Sequence, residues 1–150
     1  MKTKIFLGAI LFCILSVTSL CQPLVPATLP DKPLLFSKLP EQFSISTIAI
    51  QKIFAGSANG FIKIPAEEHG YLEGYITEKV WKSSSVTTIN IRLTNYDQAL
   101  FTISRISGKD EKESFTGRIV HRNYGDVLLL VQENEKFYLR KEKQSLFLVE

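Results

Sequence analysis

Cysteine is nearly absent from this chain. Its only two, Cys13 and Cys21, both fall within the first 21 residues. The remainder therefore has no disulfide, no thiol nucleophile and no thiolate metal site, and its stability must come from an apolar core. Long apolar runs are missing too. The longest apolar run, Ile5 to Val17, has thirteen residues, short of the roughly 20 that a membrane-spanning helix needs. The next richest, Val127 to Val131, has the length of a strand. No strong excess of one charge exists either, with 18 basic against 15 acidic residues. Lys and Arg alternate with Glu and Asp, as in Lys141-Glu142-Lys143, so a nucleic-acid footprint is not expected. A phosphate-cradling glycine loop, an EF-hand pattern and a G-x-S-x-G elbow are all missing, which leaves no cofactor to expect.

What is present begins with an address. Lys2 and Lys4 stand beside the amino terminus, the apolar run follows, and small residues come next at Thr18, Ser19 and Cys21. This is the layout of a secretory signal peptide, here 1–21, with cleavage after Ser19 or Cys21. Acylation of Cys21 would anchor the chain instead, but Leu20 is bulkier than that processing prefers. The expectation is an exported protein, periplasmic or extracellular. Loss of Lys2 and Lys4 leaves 16 basic against 15 acidic residues, a net charge of +1.

Residues 22–40 carry five of the six prolines. Proline fixes φ and offers no N–H, so this stretch reads as an extended leader, either a spacer or a strap across the domain using Leu34, Leu35 and Phe36. A helix is expected next. From Ile45 the apolar positions Ile48, Ala49, Ile53 and Phe54 fall on one helical face, with Pro40, Glu41 and Gln42 as a first turn and Gly56 as the stop. The β-branched content of this segment keeps a strand as the alternative.

After Asn59-Gly60 the period becomes two. Strands are expected near 61–64, 71–81, 86–94, 99–106, 114–122, 126–132, 135–141 and 145–149, joined by short turns that favour antiparallel neighbours. Ile89, Ile91 and Leu93 share one face, as do Phe101 with Ile103 and Phe115 with Gly117 and Ile119. The run Val127 to Val131 is apolar on both faces, as expected of a covered central strand. Tyr71-Leu72-Glu73-Gly74-Tyr75-Ile76 echoes Phe115-Thr116-Gly117-Arg118-Ile119 when the glycines are aligned. The fold class is all-β, a mainly antiparallel meander of about eight strands with one short N-terminal helix. Residues 41–150 form a single β-rich domain, and barrel, roll and sandwich all remain open.

Chemistry is sparse. His69 sits in an acidic turn with Glu67 and Glu68, and adjacent residues rarely converge on one ion, so no metal site is expected. His121 ends an inward face, with Asp126 in the next turn as a possible orienting carboxylate, but no serine is identified to complete a hydrolytic set. Asp110, Glu111 and Glu113 suit a solvated turn. One strand stands out. Tyr71, Glu73, Tyr75, Thr77, Lys79 and Trp81 share parity, opposite Leu72, Gly74, Ile76 and Val80, and the neighbouring strand adds Asn90 and Arg92. Aromatic rings among hydrogen-bonding groups suit a recognition surface, unless the helix or leader covers them. The candidate ligand-binding residues are Tyr71, Tyr75, Trp81 and Arg92. The expected role is a non-enzymatic interaction module for another exported or cell-surface protein or a glycan. A barrel carrying a small apolar ligand is the alternative, and a hydrolase using His121 or His69 is a remote third.

Overall fold

The alternating pattern builds one antiparallel sheet. The fold is a computed structural model that describes residues 32–66, 70–108 and 112–143. The strands are β1 (Gln42–Ile45), β2 (Phe61–Pro65), β3 (Tyr71–Trp81), β4 (Val86–Leu93), β5 (Leu100–Ser107), β6 (Glu113–Val120), β7 (Asp126–Glu133) and β8 (Lys136–Lys143), with helix α1 (Thr47–Ala55) between β1 and β2. The sheet order is β1-β8-β7-β6-β5-β4-β3-β2, so β2 to β8 form a sequential meander. The sheet curls into a half-barrel. The expected signal, the acidic turn with His69 and the strand at 145–149 lie outside the described residues.

Curling puts the buried residues on the concave side. Ile89, Ile91, Leu93, Ile103 and Ile119 are fully buried there, and Leu128 and Leu130 continue the layer on β7. Helix α1 supplies the facing side through Ala49, Ile50, Ile53 and Phe54. Two inward glycines permit the close approach of strands. A Cβ at Gly74 would lie 2.2 Å from the Arg92 carbonyl oxygen on β4, and one at Gly117 would lie 2.9 Å from the Thr102 carbonyl oxygen on β5. The aligned glycines of the sequence echo thus do the same local work, but Gly74 presses on the following strand and Gly117 on the preceding one.

The helix begins later than its spacing predicts. Gln42 to Ile45 are a strand, not a first turn, with Phe43 facing Leu139 and Ile45 facing Phe137 on β8. The reason lies in the same four residues: polar and apolar alternate, Phe43 and Ile45 are buried, and β8 offers an unpaired edge. Ser46 then caps α1, its Oγ accepting from the Ala49 N–H at 3.2 Å. Ile50 is buried in place of the predicted Ile48, which is exposed. The last turn is satisfied by the Gly56 N–H, which donates to the Lys52 and Ile53 carbonyls, and by Lys79.

From Lys32 the proline-rich segment is a strap. Phe36 is fully buried and Leu39 joins the same core. The Asp126 carboxylate accepts from the Leu35 and Phe36 N–H groups, each at 2.8 Å, and the Gly125 N–H donates to the Pro33 carbonyl. Asp126 is itself buried, and these two backbone donors take the place of water. It is occupied by the strap, so it is not the partner of His121.

Candidate functional site

The aromatic strand does not keep one parity. On β3 and β4 the register runs Tyr75 to Arg92 and Ile76 to Ile91, then resumes at Glu78 to Asn90. One extra residue, Thr77, makes a β-bulge, which inverts every side chain beyond it. Lys79 consequently aligns with the inward Ile89, and Trp81 with Thr87. The Lys79 ammonium reaches the end of α1, donating to the Phe54 carbonyl at 2.6 Å and the Gly56 carbonyl at 3.3 Å. That is the favourable place for a cation at a helix C-terminus. Trp81 lies 5.7 Å from the same ammonium and remains 68% exposed. The predicted set is therefore divided: Tyr71, Tyr75 and Arg92 lie on the convex face, and Trp81 lies on the other side of the sheet.

On the convex face, cross-strand registry produces a row. Phe61 faces Tyr75, Tyr75 faces Arg92, Arg92 faces Leu100 and Leu100 faces Val120. Five neighbouring strands thus line up one side chain each, spanning roughly 19 Å at the usual strand spacing. Phe61 and Tyr75 are 53% and 49% exposed and meet edge to face, with ring centroids 5.2 Å apart. Beside them Tyr71 lies beneath the Lys63 ammonium, 3.9 Å from its ring centroid. Glu73 pairs with Lys63 at 2.8 Å, and this hydrogen bond holds the ammonium above its ordinary pKa. Neither the helix nor the strap covers Tyr71 or Tyr75. The convex face continues in polar pairs, with Asn90 donating to Glu78 and accepting from Thr102.

No protein-family model, no curated protein and no solved structure matches the chain. Its function must therefore be read from the geometry.

The row ends in a depression of about 510 Å³ lined by Arg92, Gln98, Leu100, Val120, His121 and Arg122. Arg92 donates to the Gln98 carbonyl at 3.2 Å. The imidazole of His121 faces Asp97, with Nε2 3.7 Å from Oδ2, and its Nδ1 accepts from the Asn123 N–H at 3.2 Å. Tyr124 donates to the same Asp97 oxygen at 3.1 Å, which raises the pKa of its phenol. Asp97 thus occupies the place that the sequence assigns to Asp126. Among the described residues, no serine or threonine hydroxyl bonds to His121, and no group of three or more His, Cys, Asp or Glu is arranged to hold a metal. No described helix is long and apolar enough to cross a membrane.

Sequence reasoning anticipated Tyr75 and Arg92 on one face but missed Phe61, Leu100, Val120 and Arg122. The available signal was the Asn59-Gly60 turn, which begins β2 and orients its first side chain. The pairing across β4, β5 and β6 depends on register, which periodicity does not encode.

Proposed function

We propose that the chain is an exported, non-enzymatic binding module whose partner meets the convex face at Phe61, Tyr75 and Arg92. The partner is another exported or cell-surface protein, or a glycan. One observation carries the reading: two exposed aromatic rings and an arginine stand in register with two aliphatic side chains across five strands. Aromatic and arginine side chains dominate the energetics of recognition surfaces. Export rests on the charged, apolar and small-residue order of the first 21 residues. The concave side, filled by Phe36, Ile50, Ile53 and Phe101, weighs against an apolar carrier. The surroundings of His121 supply no nucleophile and weigh against a hydrolase.

Capture of a partner from cell envelope or medium by wild-type and variant chains tests this reading. Tyr75→Ala and Phe61→Ala should each weaken capture by about tenfold or more without a shift in melting temperature. Trp81→Ala, on the other side of the sheet, should leave capture intact. Capture that depends on Trp81 and not on Tyr75 would sink the proposal, and a large loss of thermal stability in Tyr75→Ala would assign that ring to packing.

A further inference from the structure

The arginines of this chain fall into two groups. Arg105 is paired with Glu113 at 3.4 Å, and Arg140 is paired with Glu133. Arg92, Arg118 and Arg122 have no carboxylate partner among the described residues, and all three are exposed. They are not scattered. Arg92 and Arg122 line the same depression, in which no Asp or Glu takes part. Arg118 precedes Val120 by two positions on the convex face of β6. The Lys32 ammonium approaches too, donating to the Arg122 carbonyl at 2.9 Å. Asp97 faces His121 at 3.7 Å and accepts from Tyr124, and it does not line the depression. In a chain with almost no net charge after loss of Lys2 and Lys4, this is a local concentration of positive charge.

The floor between these cations is aliphatic. Leu100 and Val120 are directly opposite in the β5–β6 register, and both are half-buried. The bond from Arg92 to the Gln98 carbonyl uses one N–H and fixes the guanidinium at the rim, leaving its other donors free for a planar acceptor. A depression of about 510 Å³ lies in the range of ligand sites and admits a few side chains. A sugar acid would bring several hydroxyls against Leu100 and Val120, where Gln98 and His121 are the only polar lining residues besides the two arginines. A peptide brings a carboxylate and an alkyl group together.

We infer that this depression receives an acidic side chain of a protein partner, flanked by an aliphatic residue that rests on Leu100 and Val120. The carboxylate bridges Arg92 and Arg122, and Phe61 and Tyr75 meet the adjoining part of the same partner. The inference rests on the proposed binding face and names the class of group that the face recognises.

Two capped peptides test it on the whole chain: acetyl-Leu-Glu-Val-Glu-amide and its Gln counterpart, followed by calorimetry and by methyl NMR of Leu100 and Val120. The Glu peptide should bind about tenfold or more tightly than the Gln peptide, as charge-assisted hydrogen bonds predict. Its affinity should fall with added salt. R92Q and R122Q should each lose about tenfold, with folding checked by circular dichroism. The Leu100 and Val120 methyl signals should shift with the Glu peptide. Equal affinity for both peptides, no binding at millimolar peptide, or binding unaltered in R92Q and R122Q overturns the inference. Preference for a polyuronate over the Glu peptide overturns it in favour of a glycan. If Tyr75→Ala abolishes partner capture while the two arginine variants retain it, the binding face stands and the acidic class falls.

Discussion

Several residues of this protein occupy backbone conformations that their side chains disfavour. In the β7–β8 hairpin, Glu133 pairs with Lys136, leaving Asn134 and Glu135 as the turn, with φ of 49° and 64°. Both central positions are left-handed, as a tight primed turn requires. Asparagine tolerates that region, but a glutamate there meets its own carbonyl through Cβ. Glu135→Gly should therefore stabilise the fold by about 0.5–1 kcal/mol, the left-handed penalty less glycine's added entropy loss. A urea midpoint above that of the wild type checks it. Tyr96 offers a second residue-scale test. It lies against Phe36, with centroids 5.5 Å apart, and burial raises its phenol above the ordinary 10.0. The folded phenol keeps its proton after the unfolded one has lost it. Stability is thus full below pH 10 and declines as pH rises through the folded value. Tyr96→Phe should remove part of the alkaline fall in melting temperature. Tyr124, raised by its bond to Asp97, retains another part.

At the scale of elements, the strands β2 to β8 match the sequence alternation to within two residues at each end. They were legible because one face of the sheet is buried and the other is wet. Strand β1 was not, because Ile45 also fits the helical spacing of Ile48 and Ala49, and four residues are too few to separate the two periods. The bulge at Thr77 leaves only a faint mark: three polar residues, Thr77, Glu78 and Lys79, follow one another where strict alternation would separate them. The pairing with β4 is what places the slip. Trp81 was therefore assigned to the wrong face, whereas Tyr71 and Tyr75, before the slip, were assigned correctly. The candidate site was half legible for the same reason: exposed rings can be read from one strand, but a row across five strands cannot. Gly74, three residues before the bulge, pins the β3–β4 contact. Gly74→Ala places a methyl where the Arg92 carbonyl already sits, so the strands must separate. A loss of about 1–3 kcal/mol is expected from overpacking, read by chemical denaturation. A change below about 0.5 kcal/mol would show that the strands give way freely.

Across the whole molecule, the segment that looks least structured in sequence closes part of the core. Five prolines left a spacer and a strap both open; from Lys32 the backbone is tied to Asp126 and Gly125 and delivers Phe36 to the interior, as a strap does. Burying that ring is worth about 1.5–3 kcal/mol. The carboxylate matters separately, because an amide at 126 offers one acceptor where two backbone donors converge. Asp126→Asn should cost about 1–3 kcal/mol and accelerate hydrogen exchange at Leu35 and Phe36 ahead of the sheet amides. Uniform acceleration would show instead that the strap and sheet open together.

The pairing of β1 with β8 also governs time. Gln42 meets Arg140, so among the described residues the first strand of the sheet completes its ladder on the last. During synthesis, β2 to β7 can zip in sequence as each hairpin emerges. Gln42 to Ile45 must wait for β8, and α1 has little sheet to rest on until the meander has curled. Joining the two ends closes the longest loop in the fold, a step that slows folding. Until then, Phe43 and Ile45 lack the β8 partners that bury them, and such transiently exposed apolar surface is open to chaperone capture or misassembly.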